Sequence, residues 1–349
     1  MSSIVLRGSA GYEELRTRYF NVRIPAHLPA EIVCAGSTAD VVGAVERAAR
    51  QGRKLGVRSG GHLLPGCSLV QDGTLVDAKA LNASIEYDEA TQVLAFGPGC
   101  LSRDLADACA RIGRFFPFGH SPTVAVGGFL LCGGQGWFMR GWGNTADSWI
   151  VKFEVVTADG RVVEASRECN QDLFWALRGS GQGAFGVVTR IWGRTIAARK
   201  IYQSTIVFNA TKDFARVCRW MFEANDRTPK YGVDTVGITC YADKNVAPFG
   251  DEIKTRDLLM VVNSLAYADS LDEAATMLRQ YDDLPEEMQH LLIARVPLME
   301  KSWPQLFAEQ DEMNPTGGNE RWQCDSILND PKFPRDEVSA HSLLSVRAV

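Results

Sequence analysis

Residues 56–70 read "GVRSGGHLLPGCSLV": a short β-type run, "KLGVR" at 54–58, empties into two glycines and then a histidine. The chain has only five histidines, so one placed at the tip of a glycine turn asks for a reason. Glycine opens main-chain conformations that other residues rarely adopt. In such a turn the successive N–H groups from Arg58 to His62 can converge on an anion. On these residues alone, His62 reads equally well as a structural histidine and as the rim of an anion site.

A second glycine concentration lies downstream. Residues 119–143, "GHSPTVAVGGFLLCGGQGWFMRGWG", hold eight glycines in 25 positions, where average usage predicts about two. A mobile linker would be polar, yet Val124, Val126, Phe129, Leu130, Leu131, Trp137 and Phe138 are interleaved. Apolar residues among glycines point to main chain pressed against a ligand, or else to tight packing. A third stretch, "GQGAFG" at 181–186, fits the dinucleotide pattern G-x-G-x-x-G, which works when a strand precedes it and a helix follows. Here helix-like "DLFWALRG" precedes and strand-like "VVTRIWG" follows, so a Rossmann site is rejected. No P-loop, nucleophile elbow or H-E-x-x-H is present.

The 349 residues allow one large or two ordinary domains. Net charge is −5, with 37 Lys and Arg against 42 Asp and Glu. No basic block stands out, so neither nucleic acid nor an anionic membrane is an expected partner. Nine cysteines without a C-x-x-C pair argue against a zinc site and a disulfide framework. They are read as mostly buried thiols, with no metal expected. The first twenty residues lack a signal-peptide core, and no apolar run approaches the roughly 18 residues of a membrane span. The chain is therefore expected to be intracellular and cytoplasmic, without a signal peptide or transmembrane segment.

Residues 37–52 predict a helix capped by Ser37 or Thr38, with Val41, Val42, Val45 and Ala49 on one face and Gly52 at its end. "GTLVDAKAL" and "QVLAFGPG" read as strands, "LSRDLADACARIG" as a helix, and "IVKFEVVTADGRVVEAS" as a hairpin turning at Asp159 and Gly160. From about residue 196 the units lengthen: strand "IYQSTIVFN", helix "ATKDFARVCRWMFEA", strands "DTVGITCYA" and "DLLMVVNSLAYA", helix "SLDEAATMLRQYDDL". A domain boundary is expected there. The end of the chain, 327–349, has weak periodicity and is expected to be poorly ordered.

"RSGGH" at 58–62, "SPTVAVGGFLLCGGQGW" at 121–137, "VVTADGRVVEAS" at 155–166 and "DLFWALRGSGQGAFGVVT" at 172–189 together resemble the berberine-bridge-enzyme-like flavoproteins of the vanillyl-alcohol-oxidase superfamily, in that family's order and spacing. The resemblance implies an α+β fold: a two-subdomain PCMH-type FAD-binding domain over 25–195, then an incomplete α+β substrate domain with a mainly antiparallel sheet over 196–349. It implies FAD as cofactor, bonded through its 8α-methyl to His62. Ser59, Gly60 and Gly61 would hold the pyrophosphate through main-chain N–H groups, with Arg58 opening the turn. Ser121, Pro122, Thr123, Val124, Gly127 and Gly128 would run beside the isoalloxazine, and Val187 near the adenine.

Three departures matter. Many relatives carry a cysteine in "G-x-C-P-T-V" that bonds the flavin a second time. This chain has "GHSPTV", and the Ser121 hydroxyl is a poor nucleophile for that bond, so a single link is expected. Cys132 stands where relatives have glycine and reads as a packing residue; His120 reads equally as structural or as facing the flavin edge. Relatives also continue well past residue 349, which places activity in question more than the first domain's fold.

The implied activity is hydride transfer from an alcohol- or amine-type C–H of a small molecule to flavin N5 while a base takes the proton, a chemistry typical of secondary metabolism in this family. Val124 at the oxygen-gate position favours O2 as acceptor. A dehydrogenase or cyclase of the same family, or a degenerate FAD-binding protein, stays open. Tyr202, Tyr241 and Asp234 are proton-acceptor candidates that read more readily as structural.

Overall fold

The computed structural model describes residues 3–21, 24–181, 185–242, 257–313, 323–325 and 345–347. Most of the 327–349 stretch, read as poorly ordered, lies outside the described residues. The chain divides into two compact units: residues 1–136, 144–197 and 316–349 form one, residues 137–143 and 198–315 the other. This division differs in two places from a single cut after residue 195. The first twenty-odd residues belong to the first unit, and the short segment 137–143 belongs to the second.

The first unit opens with β1 (Ser3–Leu6), α1 (Tyr12–Arg16), β2 (Glu31–Cys34), α2 (Thr38–Arg50), β3 (Leu55–Arg58) and β4 (Thr74–Asp77). Their sheet has the order β1-β2-β4-β3. β4 runs parallel to both β2 and β3, and β1 is antiparallel to β2. Ser37 caps α2 in a capping box with Asp40, which satisfies main-chain donors that the first turn leaves open. The buried face is Val41, Ala44, Val45 and Ala48, the i, i+3, i+4, i+7 set; Ala49 is on the exposed side.

Next come β5 (Glu86–Asp88), β6 (Val93–Phe96), α3 (Ser102–Arg111), β7 (Arg114–Phe115), α4 (Val126–Leu131), α5 (Met139–Trp142), α6 (Thr145–Ser148), β8 (Ile150–Val156), β9 (Val162–Ser166), α7 (Gln171–Leu177), β10 (Val187–Arg194) and β11 (Ile196–Ala197). α5 belongs to the second unit. A five-stranded antiparallel sheet has the order β5-β6-β10-β8-β9. β8 and β9 form the expected hairpin, with Gly160 at φ 81° in its turn. One core joins the two subdomains: Val33, Val41, Ala44 and Val76 from the first pack with Val156 and Val187 from the second.

The second unit holds β12 (Lys200–Asn209), α8 (Ala210–Arg227), β13 (Val233–Tyr241), β14 (Leu258–Ala268), α9 (Leu271–Leu278), β15 (Leu292–Lys301) and α10 (Trp303–Met313). Its sheet, β13-β14-β12-β15, is antiparallel throughout. Phe208, Val217, Trp220, Val262 and Tyr281 centre a core of their own. Beyond it, β16 (Gln323–Asp325) pairs with β17 (Ser345–Arg347). Mixed α+β architecture with mostly antiparallel sheets is thus the observed class.

Cys34, Cys67, Cys100, Cys109, Cys132, Cys169 and Cys218 are free thiols, but the expectation of mostly buried ones is corrected. Cys67, Cys132, Cys169 and Cys240 are exposed, and only Cys100 and Cys109 among those described are buried. Burial pushes the Cys109 thiol up to about 12.

Candidate functional site

β3 delivers the chain to the glycine turn, and its last residue anchors it. Arg58 is 3% exposed and Asp77, its register partner on β4, 2%. The two are ion-paired, and Arg18 reaches the same carboxylate. The Arg58 guanidinium also lies over the Tyr19 ring, 4.8 Å from its centroid. Arg58 therefore works as a buried strut beneath the turn through its side chain.

Gly61 sits at φ 70°, and a Cβ there would lie 2.8 Å from the Arg18 carbonyl. Only glycine fits both the conformation and the space. Among the described hydrogen bonds, none uses the main-chain N–H of Ser59, Gly60, Gly61 or His62. Four donors at one turn stay available for a ligand.

The His62 ring is half-buried and stacks on Phe20, centroids 4.0 Å apart and planes 15° from parallel. Its Nε2 lies 3.3 Å from Thr123 Oγ1, which lies 3.1 Å from Ser121 Oγ. Burial pushes the imidazole down to about 4, with contact to its own main chain opposing. Near neutral pH the ring is uncharged, with a lone pair on one nitrogen.

The segment after Thr123 is held against residues 98–102. Val124 O accepts from Ser102 N at 2.9 Å, Val126 N donates to Cys100 O at 2.9 Å, and Gly127 N donates to Pro98 O at 2.9 Å. A Cβ on Gly127 would come within 2.4 Å of Ser59 Oγ and 2.8 Å of Pro98. This glycine lets α4 touch the turn. A Cβ on Gly128 would meet nothing within 4 Å. It faces open space.

That space is a cavity of about 850 Å³ within the first unit, at the upper end of the range for small-molecule and cofactor sites. The turn from Arg58 to His62 lines it together with Val124, Gly127 and Gly128, and so does Val187, beside Val156, Ala48 and Ala49. Ser121, Pro122 and Thr123 do not line it. The first and third stand behind His62 through their hydroxyls, and the Pro122 carbonyl accepts from Arg103 N at 3.2 Å. His120 is half-buried and off the wall.

Several wall residues were not singled out from the sequence: Tyr19, Arg53, Ser68 and Gln135. Cys132, read as a packing residue, is exposed and borders the cavity. The "RYF" run at 18–20 was the available signal for the missing support of His62, because two adjacent aromatics outside any amphipathic helix usually cover something. Of the proton-acceptor candidates, Tyr202 is buried in the second unit's core and Asp234 accepts from Phe138 N at 2.9 Å. The side chain of Tyr241 lies outside the described residues.

Main-chain N–H groups that no described hydrogen bond uses, an uncharged histidine beside them and a cavity of about 850 Å³ fit a dinucleotide such as FAD. Residues 29–166 match the family described as FAD binding domain. The chain is similar to the FAD-linked oxidoreductase ptmO of Penicillium ochrochloron, 39% identical over 203 residues, which are 58% of this chain and 45% of that protein. It is also similar to the carbohydrate oxidase of Microdochium nivale, 31% identical over 260 residues, 67% of this chain and 50% of the other. The chain thus spans half or less of the length of these curated relatives. Its fold matches 6-hydroxy-D-nicotine oxidase from Arthrobacter nicotinovorans with a TM-score of 0.77 at 22% identity, over 94% of this chain and 67% of that one. It matches the Physcomitrella patens BBE-like 1 protein at 0.74 and 23% identity, over 93% and 67%. Among the described residues no helix is long and apolar enough to cross a membrane.

Proposed function

We propose that this chain, whose residues 29–166 match an FAD binding domain, serves a berberine-bridge-enzyme-like oxidase acting on an alcohol- or amine-type C–H of a small molecule, with O2 as acceptor. Bound in the cavity, FAD would supply a ring able to accept hydride and pass the electrons on. The carrying observation is the turn from Ser59 to His62, whose free main-chain donors and neutral imidazole share one wall with Gly128. Those donors would hold the pyrophosphate, as main-chain N–H groups hold anions elsewhere. Val187, Val156 and Ala49 would wall the adenine end. His62 would carry the single covalent link at the 8α position; its depressed basicity keeps it an unprotonated nucleophile at neutral pH. Ser121 would add no second bond. Val124, small and on the wall, is consistent with oxygen access.

The test is acid precipitation of purified protein, followed by an absorbance spectrum and peptide mass analysis. A yellow pellet with FAD mass on the His62 peptide is expected. For His62→Ala the flavin should become extractable by acid, and unchanged acid-stable colour would remove the tether. For the acceptor, anaerobic reduction followed by air should restore the yellow colour within seconds; a flavin that stays bleached for minutes points to a dehydrogenase instead.

A further inference from the structure

We propose that Phe20 is a positioning residue for the flavin bond: its ring, stacked on the imidazole of His62, holds that imidazole in the orientation from which the 8α-methyl is attached. The inference rests on the tether proposed above. It adds a residue that is not part of the cavity wall and that precedes the stretch matched as an FAD binding domain.

An imidazole turns about two side-chain torsions, and the second has broad preferences of its own. The plane of the ring is therefore set by what it touches. Phe20 lies against its face, with centroids 4.0 Å apart and planes 15° from parallel. Thr123 Oγ1 stands 3.3 Å from one ring nitrogen. A face and an edge are enough to fix both torsions.

Phe20 is itself fastened to the main chain that carries the histidine. Its N–H donates to Gly61 O at 2.9 Å, and the side-chain amide of Asn21 donates to Leu64 O at 2.8 Å. The two bonds bracket His62, one residue before it and two after. Asn21 is 2% exposed and Tyr19, on the other flank of Phe20, 5%. Tyr19 Oη lies 2.7 Å from Ser68 Oγ, and Arg18 is ion-paired with Asp77. A Cβ on Gly61 would lie 2.8 Å from Arg18 O and 3.3 Å from Tyr19 Cα, so segment 18–21 runs in direct contact along the turn. Phe20 and His62 are held as one body.

That matters for a reaction between two groups which the fold must bring together. Attachment breaks one C–H bond of the 8α-methyl and one N–H bond of the imidazole, and forms one C–N bond. The two hydrogens leave with two electrons and O2 accepts them, so that histidine, FAD and O2 give histidyl-FAD and H2O2. Orienting a reacting group in advance lowers the barrier to such a step. The main-chain donors of the turn, which would hold the pyrophosphate, do not depend on the Phe20 ring, so its loss acts on the rate of attachment and leaves affinity in place.

The test uses the full chain, expressed under riboflavin limitation and then loaded with FAD. Proton spectra are taken before loading, the His62 C–H signals being those that vanish in His62→Ala. An aromatic ring shields protons stacked over its face, so these signals are expected upfield of the other histidines in the parent chain and back among them in Phe20→Leu. Affinity is read with an FAD analogue that lacks the 8-methyl and cannot attach; acid-stable flavin is followed in time with FAD. Phe20→Leu should bind the analogue with the parent's Kd yet accumulate acid-stable flavin about fivefold more slowly, the worth of one aromatic pair. Phe20→Tyr, which keeps a flat ring, should restore both the proton shift and the rate. Unshifted His62 signals in the parent chain overturn the proposal. So does attachment by Phe20→Leu at the parent rate or, should that variant not fold, by Phe20→Met. A parent chain whose flavin is wholly released by acid sinks the tether and this inference with it, whereas acid-stable flavin formed equally fast in parent and variant sinks the inference alone.

Discussion

Asp77 bears most of the load at the scale of single residues. Its carboxylate sits between Arg58 and Arg18, and Oδ1 accepts from Lys79 N at 3.0 Å. Removing one member of a buried ion pair strands the other without water. Asp77→Ala should therefore destabilise the first unit by about 3–5 kcal/mol, read as a lowered urea midpoint. A loss near zero would mean that the arginines find water instead. His62 gives the second prediction at this scale. Its ordinary value is 6.5 and burial brings it to about 4, so the unfolded chain binds a proton that the folded chain refuses. Stability is then full above the unfolded value and falls as pH drops through the window between the two values, by about 3 kcal/mol in all. The flavin-free chain should show that slope and His62→Gln should lack it.

Elements show which parts of the fold were legible. α2 was, because its capping residues and apolar spacing agree with each other. The β8–β9 hairpin was, because Asp159 and Gly160 announce the turn. β15 was not: Pro297 interrupts it, its side chains are largely exposed, and among the described strands it pairs only with β12, across a register shift near that proline. Edge strands tolerate such breaks because one side needs no ladder partner, so the sequence loses its alternation. β1 is likewise an exposed edge. The glycine-rich stretch was legible as a site and illegible in detail, since spacing cannot separate a glycine that packs from one that leaves room. α4 contains both kinds. Gly127→Ala should cost stability with or without flavin, because its Cβ has nowhere to go. Gly128→Leu should fold as the parent does, yet weaken FAD binding by filling the cavity. Thermal melts and flavin titration of the two variants check this, and equal effects on both readouts would remove the distinction.

Across the whole molecule the two units have separate cores, and the cavity is confined to the first. A ligand stabilises the part that binds it, by about 2.7 kcal/mol at a free concentration a hundredfold above Kd. Calorimetry should therefore show FAD raising one transition and leaving the other in place; a common shift would mean that the units melt together. The sequence placed the change of texture near residue 196 but had no means to see segment 137–143 join the second unit, a long-range choice made by packing.

The opening of the chain has a practical consequence. Tyr12 and Tyr19 share a core with Ile32 and Leu75, Arg18 grips Asp77, and Phe20 covers His62. Tyr12, Arg18, Tyr19 and Phe20 all precede residue 29, where the recognisable cofactor domain begins. A gene started at that residue would keep every signature letter and discard the clasp around them, yielding pale protein for a reason no motif search would reveal.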